Sequence, residues 1–146
     1  MFHTIVVAFD GSAGSLPAFR KALRLARDYH STLHVLSVEE SVPHYASSQS
    51  EAGAEESEVA SYFQNLHWRA RQDAEAVGVE VSTRVLRGHA ARSIAEAASE
   101  MGADLIVIGH HAHPGVVERL LGSTSDRVVD TAPCSVLVVR ETESDK

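Results

Sequence analysis

Three short runs, residues 5–9 (Ile-Val-Val-Ala-Phe), 105–108 (Leu-Ile-Val-Ile) and 136–139 (Val-Leu-Val-Val), have no polar position on either face of an extended chain. A strand that is apolar on both faces needs cover on both, which is the condition of a parallel sheet flanked by helices. Residues 33–38 (Leu-His-Val-Leu-Ser-Val) read as a further strand. Residues 79–85 alternate apolar and polar, as an edge strand with one wet face does. Helical stripes lie between these strands. Leu16, Phe19, Leu23 and Ala26 form the first, with Ser12 and Ser15 suited to cap it and His30 to Thr32 ending it. Val59, Phe63, Leu66, Ala70 and Val77 form the second, ended by Gly78, and Trp68 lies off that stripe as a partly buried packing residue. Ile94, Ala97, Ala98 and Met101 form the third, and a short helix over 123–131 is stopped by Pro133. The stretch 39–57 is rich in Ser, Glu, Ala and Gly, contains Pro43 and has no period, so it reads as a long exposed loop.

Strands alternating with helices imply right-handed crossovers. The expected fold is α/β: a single open, doubly wound, five-stranded parallel sheet of order 3-2-1-4-5, helices on both faces, in one domain over residues 1–146. Winding reverses between strands 1 and 4, and ligands of such sheets bind beyond the carboxyl ends of the strands at that switch point. Asp10 ends the first strand and Gly109 the fourth.

Composition narrows the partners. A formal net charge of −7 disfavours nucleic acid and anionic membranes. No apolar run approaches the roughly 20 residues that span a bilayer. One cysteine, Cys134, cannot form an internal disulfide and reads as a small packing residue. A sequence that opens directly on a strand, without a leader pattern, points to the cytoplasm.

The sequence Gly122-Ser123-Thr124-Ser125 offers close backbone approach, three hydroxyls and the N–H groups of a helix start, which suits phosphate. Ser123 and Asp126 also have the spacing of a capping box, so the pattern alone leaves phosphate binding and plain capping both open. Asp10 suits ribose hydroxyls or a phosphate-bound Mg²⁺ held through water. His110, His111 and His113 form an unusual loop, but contiguous loop side chains diverge and whether they bind a metal is left open. No nucleophile elbow, paired carboxylates or Walker A pattern is present, so no catalytic residue is assigned.

Taken together, residues 5–12, 85–88, 103–109, 120–125 and 132–140 resemble the universal stress protein family over nearly the whole chain. The resemblance implies an ATP-binding stress-response module, regulatory or sensory, with at most weak ATP hydrolysis. Binding members carry Gly-x2-Gly-x9-Gly-Ser/Thr after strand 4. The corresponding residues here are Gly109, Ala112, Gly122 and Ser123, so the spacing is kept and the second glycine is alanine. By this resemblance Ala8, Phe9, Asp10 and Ser12 border the nucleotide and Val38 meets adenine through its backbone. Ile108, Gly109, His111 and Ala112 follow the ribose and phosphates, and Gly122, Ser123, Thr124 and Ser125 hold the phosphates, with Mg²⁺ as their counter-ion. It also implies a homodimer through Val136, Leu137, Val138 and Val139. The alternative implied by Ala112 is a family member that binds no nucleotide and works through dimerisation and protein partners. Nucleotidyl-transferase folds are disfavoured because no His-x-Gly-His follows strand 1, and a phospho-receiver because strand 3 ends without an acid.

Overall fold

The computed structural model describes residues 1–40, 49–110 and 124–140. The strands are β1 (Thr4–Ala8), β2 (Thr32–Glu39), β3 (Val81–Arg87), β4 (Leu105–Gly109) and β5 (Ser135–Val139). The helices are α1 (Ser15–Tyr29), α2 (Gln49–Ala76), α3 (Ala90–Met101) and α4 (Thr124–Thr131). All four strand pairings are parallel, and the sheet order is β3-β2-β1-β4-β5. β1 and β4 thus become strands covered on both faces, as their composition requires, while Val136, Leu137 and Val138 of the edge strand β5 are only half-buried.

The faces divide the core in two. Ile5, Val7 and Phe9 point to one side, where Ala18, Phe19, Ala22, Leu23 and Ala26 of α1 and Ala70 and Ala74 of α2 meet them. Val6 points to the other, with Leu36, Ile106 and Ile108, against Ile94, Ala97 and Ala98 of α3 and Val128 of α4. Phe9 stacks on Phe19 with ring centroids 4.6 Å apart, an arrangement worth about 1 kcal/mol beyond the area it buries. Gly102 stops α3 in the left-handed conformation at φ +65°, and the turn after α2 carries Gly78 at φ +73°. Among the described residues no helix is long and apolar enough to cross a membrane.

Several expectations need correction. Residues 49–57 open α2 instead of belonging to a loop. Their Ala, Glu and Gln are strong helix formers, a preference that an apolar period does not detect; residues 41–48 lie outside those described. Trp68 is 57% exposed, because the buried line of α2 runs through Phe63, His67, Ala70 and Ala74 and turns Trp68 outward. Leu16 and Val77 are likewise exposed. Leu16 lies about 100° round the helix from the buried Pro17. Val77 follows the end of α2, in the turn at Gly78. The third strand is displaced by one pleat, to Val81–Arg87. Cys134 precedes β5, half-buried against the α3–α4 side of the sheet, and burial, then the nearby Asp104 charge, push its thiol pKa up.

Candidate functional site

β1 is the switch strand. It pairs with β2 through Ala8↔Leu36 and with β4 through Val7↔Val107, so the ends of β1 and β4 leave the ladder side by side. Phe9 extends the β2 pairing, its N–H donating to the Leu36 carbonyl at 2.8 Å. The chain then turns sharply at Gly11, φ +81°, where the Asp10 carboxylate accepts the Ser12 N–H at 2.9 Å. The Ser12 carbonyl accepts from the N–H groups of Ser15 and Leu16, both at 3.1 Å, and its hydroxyl accepts the Ser15 N–H at 3.3 Å. Ser12 therefore serves the start of α1. Ser15, expected to share that role, instead donates its hydroxyl back to the Ser12 carbonyl. This turn places the N-terminal end of α1, positive by the helix dipole, beside the crevice.

α2 reaches the same place from the other side. The Tyr62 hydroxyl donates to the Asp10 carbonyl. The buried Ser37 hydroxyl donates to the Phe9 carbonyl and sits 2.7 Å from His67 Nε2. Since the Ser37 proton is committed to Phe9, the imidazole carries its proton on Nε2 and donates it. Burial, then the neighbouring Arg71 charge, lower the His67 pKa, so the ring is neutral near pH 7. Ser37 and His67 have the look of a nucleophile and base, but Ser37 is only 1% exposed and its hydroxyl is aimed at a carbonyl. The pair braces the strand end. None of Tyr62, Ser37 and His67 was singled out in the sequence; the available signal was that His67 falls on the buried stripe between Phe63 and Ala70.

Nine of the expected site residues are described. Phe9 and Ile108 are buried, and Phe9 gives its side chain to the core while its N–H and carbonyl bond to Leu36 and Ser37. Ala8 and Val38 are half-buried on the α3 side of the sheet, Ser12 is half-buried, and Asp10 is exposed. Gly109 is buried with its Cα against the Gly14 carbonyl. Thr124 opens α4 exposed, whereas Ser125 is 3% exposed. His111, Ala112, Gly122 and Ser123, and with them His113 and Gly115, lie outside the described residues. His110 is described, its N–H donating to the Val139 carbonyl at 2.9 Å. Among the described residues no group of three or more His, Cys, Asp or Glu is placed to hold a metal ion. Among the described residues the switch point presents the exposed Asp10 carboxylate and the neighbouring ends of β1 and β4, groups able to orient a polar ligand.

A parallel 3-2-1-4-5 sheet with helices on both faces defines a doubly wound α/β protein, and Asp10 stands at its switch point. The family model described as the universal stress protein family matches residues 1–140, and the chain belongs to that family. It is 32% identical over 142 residues to a universal stress protein of Methanocaldococcus jannaschii, covering 97% of this chain and 84% of the relative. Among solved structures it is similar to universal stress protein UspA of Lactobacillus plantarum, with TM-score 0.81, 25% identity, and coverage of 94% of this chain and 97% of the other. A universal stress protein in complex with cAMP gives TM-score 0.74 and 25% identity, with coverage of 95% and 97%.

Proposed function

We propose that this universal stress protein binds an adenine nucleotide, ATP foremost, in the crevice between the ends of β1 and β4, and acts as a cytoplasmic regulatory or sensor module. One observation carries the reading: the exposed Asp10 carboxylate stands at the end of the switch strand, directly beside the end of β4. The similar family structure with cAMP bound supports an adenine base in this fold. In this reading Asp10 accepts from ribose hydroxyls and the backbone at Ala8, Phe9 and Val38 borders the base. Ser12, Ile108, Gly109, His111 and Ala112 line the sugar and phosphate path. Gly122, Ser123, Thr124 and Ser125 receive the phosphates, whose charge Mg²⁺ would offset when bound. β5 carries the homodimer contact through Val136, Leu137, Val138 and Val139.

Ala112 favours a second reading, in which nucleotide is not bound and the chain acts through dimerisation and protein partners. If the position requires positive φ, alanine costs roughly 1–2 kcal/mol, about tenfold in affinity. Extraction and identification of nucleotide from the purified protein tests both readings, repeated with Ala112→Gly and Gly122→Val. Adenylate is expected with the native chain, more of it with Ala112→Gly and none with Gly122→Val. No adenylate from either the native chain or Ala112→Gly would leave the partner-binding reading.

A further inference from the structure

A cleft lies between α2 and the C-terminal half of β3, and none of its lining residues belongs to the nucleotide reading. Its volume is about 440 Å³, within the range that takes small organic ligands. Phe63 and Val85 form an apolar floor, and Glu39, His67, Arg71 and Arg87 stand around it. Along β3, Val81 packs into the core and Thr83 accepts a hydrogen bond from Arg71 Nη1 at 2.8 Å. Val85 follows on the same face and is 42% exposed. An apolar side chain open in mid-strand gains free energy when a ligand covers it.

The charges select the ligand further. Arg87 lies 3.4 Å from the Glu39 carboxylate, whereas Arg71 takes part in none of the ion pairs among the described residues. Among the described residues, with His67 neutral, two guanidinium groups against one carboxylate leave one net positive charge. A guanidinium pairs with a carboxylate through two parallel hydrogen bonds. A dianionic phosphate ester would meet Glu39 and place its charge over the apolar floor.

We infer that this cleft binds a small monocarboxylate with an apolar body, its carboxylate on Arg71 and its body over Phe63 and Val85. The probe is phenylacetate, titrated into the purified full chain and followed by the backbone amide NMR shifts of α2 and β3. Saturable shifts at Phe63, Arg71 and Val85 are expected, with Kd in the millimolar range that suits a ligand of about ten heavy atoms. Arg71→Gln should weaken binding about tenfold or more. Glu39→Gln, which removes the repelling carboxylate, should tighten it several-fold, a result that a poorly folded variant does not give. Phenylacetamide, of the same shape without charge, and inorganic phosphate should leave these amides in place. Any of four results overturns the inference: no saturable shift with phenylacetate, an equal response to phenylacetamide, an equal response to phosphate, or unchanged affinity in Arg71→Gln. The readout involves no adenylate, so it succeeds or fails independently of the proposed nucleotide site.

Discussion

Gly109, the last residue of β4, faces the Gly14 carbonyl so closely that a Cβ on it would stand 2.1 Å from the oxygen and 2.9 Å from the carbon. The obstacle is backbone, so no rotamer change relieves it. Glycine is needed here for close approach, since Gly109 is not among the positive-φ glycines. Gly109→Ala is expected to push the 11–15 turn away from β4 and lower stability by about 1–3 kcal/mol. Thermal unfolding of the variant checks this; at about this chain length each kcal/mol moves Tm by a few degrees. A Tm equal to that of the native chain would contradict the contact.

The strands were legible because burial on both faces leaves a composition that little else produces. Period two set which face each residue of β3 takes: 79, 81, 83, 85 and 87 share one parity, so a shift of two residues changes the ends and not the pattern. Helix α2 was half legible. Its Phe63 and Ala70 showed a period, but its first turns are held by intrinsic preference and present no stripe. The placement of Asp10 and Gly109 at neighbouring strand ends was legible because topology alone brings the two strands together. Ser37, His67 and Tyr62 were not, since their bonds close over 28, 30 and 52 residues of sequence. No local spacing encodes such a pairing; it follows only once α2 is laid along the sheet.

Asp104 ties the start of β4 to the start of β1. Its carboxylate accepts the His3 N–H at 2.8 Å and the Thr4 N–H at 3.1 Å, and its own N–H donates to the Thr4 carbonyl at 3.0 Å. Burial works to raise its pKa, but the His3 and Thr4 N–H groups, with the His3 charge, outweigh burial and hold it below the ordinary value. The folded state then favours the carboxylate, so this contribution is complete above about pH 4 and is lost as pH falls through the lowered folded value. Asp104→Asn, which sets an amide against two N–H donors or leaves the exposed His3 N–H to water, should cost about 0.5–1.5 kcal/mol at pH 6. The stability gap between native and variant should narrow in acid. Urea unfolding of both at pH 6 and pH 3 measures it, and a gap independent of pH would contradict the assignment.

His67 gives the opposite end of the titration range. It is 5% exposed, and burial, followed by the Arg71 charge, holds its pKa below the ordinary 6.5. Above that value folded and unfolded chains both carry a neutral ring, and the residue adds no pH dependence. As pH falls below about 6.5 the unfolded chain takes up the proton first, so stability drops until the lowered folded pKa is reached. His34, whose pKa burial also lowers, acts in the same sense. The native chain should therefore lose stability between about pH 7.5 and 5.5. His67→Gln should be less stable at pH 7.5, by about 1–2 kcal/mol for the altered bond to Ser37, yet flatter across that interval. Arg71→Gln, which removes the second cause of the lowered pKa, should also flatten the profile while leaving the Ser37 bond in place. Denaturant midpoints at four or five pH values distinguish these outcomes: a His67→Gln profile as steep as the native one would move the titration to other groups. Because Ser37 passes the same brace to the Phe9 carbonyl, protonation of His67 in the folded chain should also register at the end of β1, as a shift of the Asp10 and Gly11 amides once pH falls through the lowered folded pKa, below the interval in which the unfolded ring titrates.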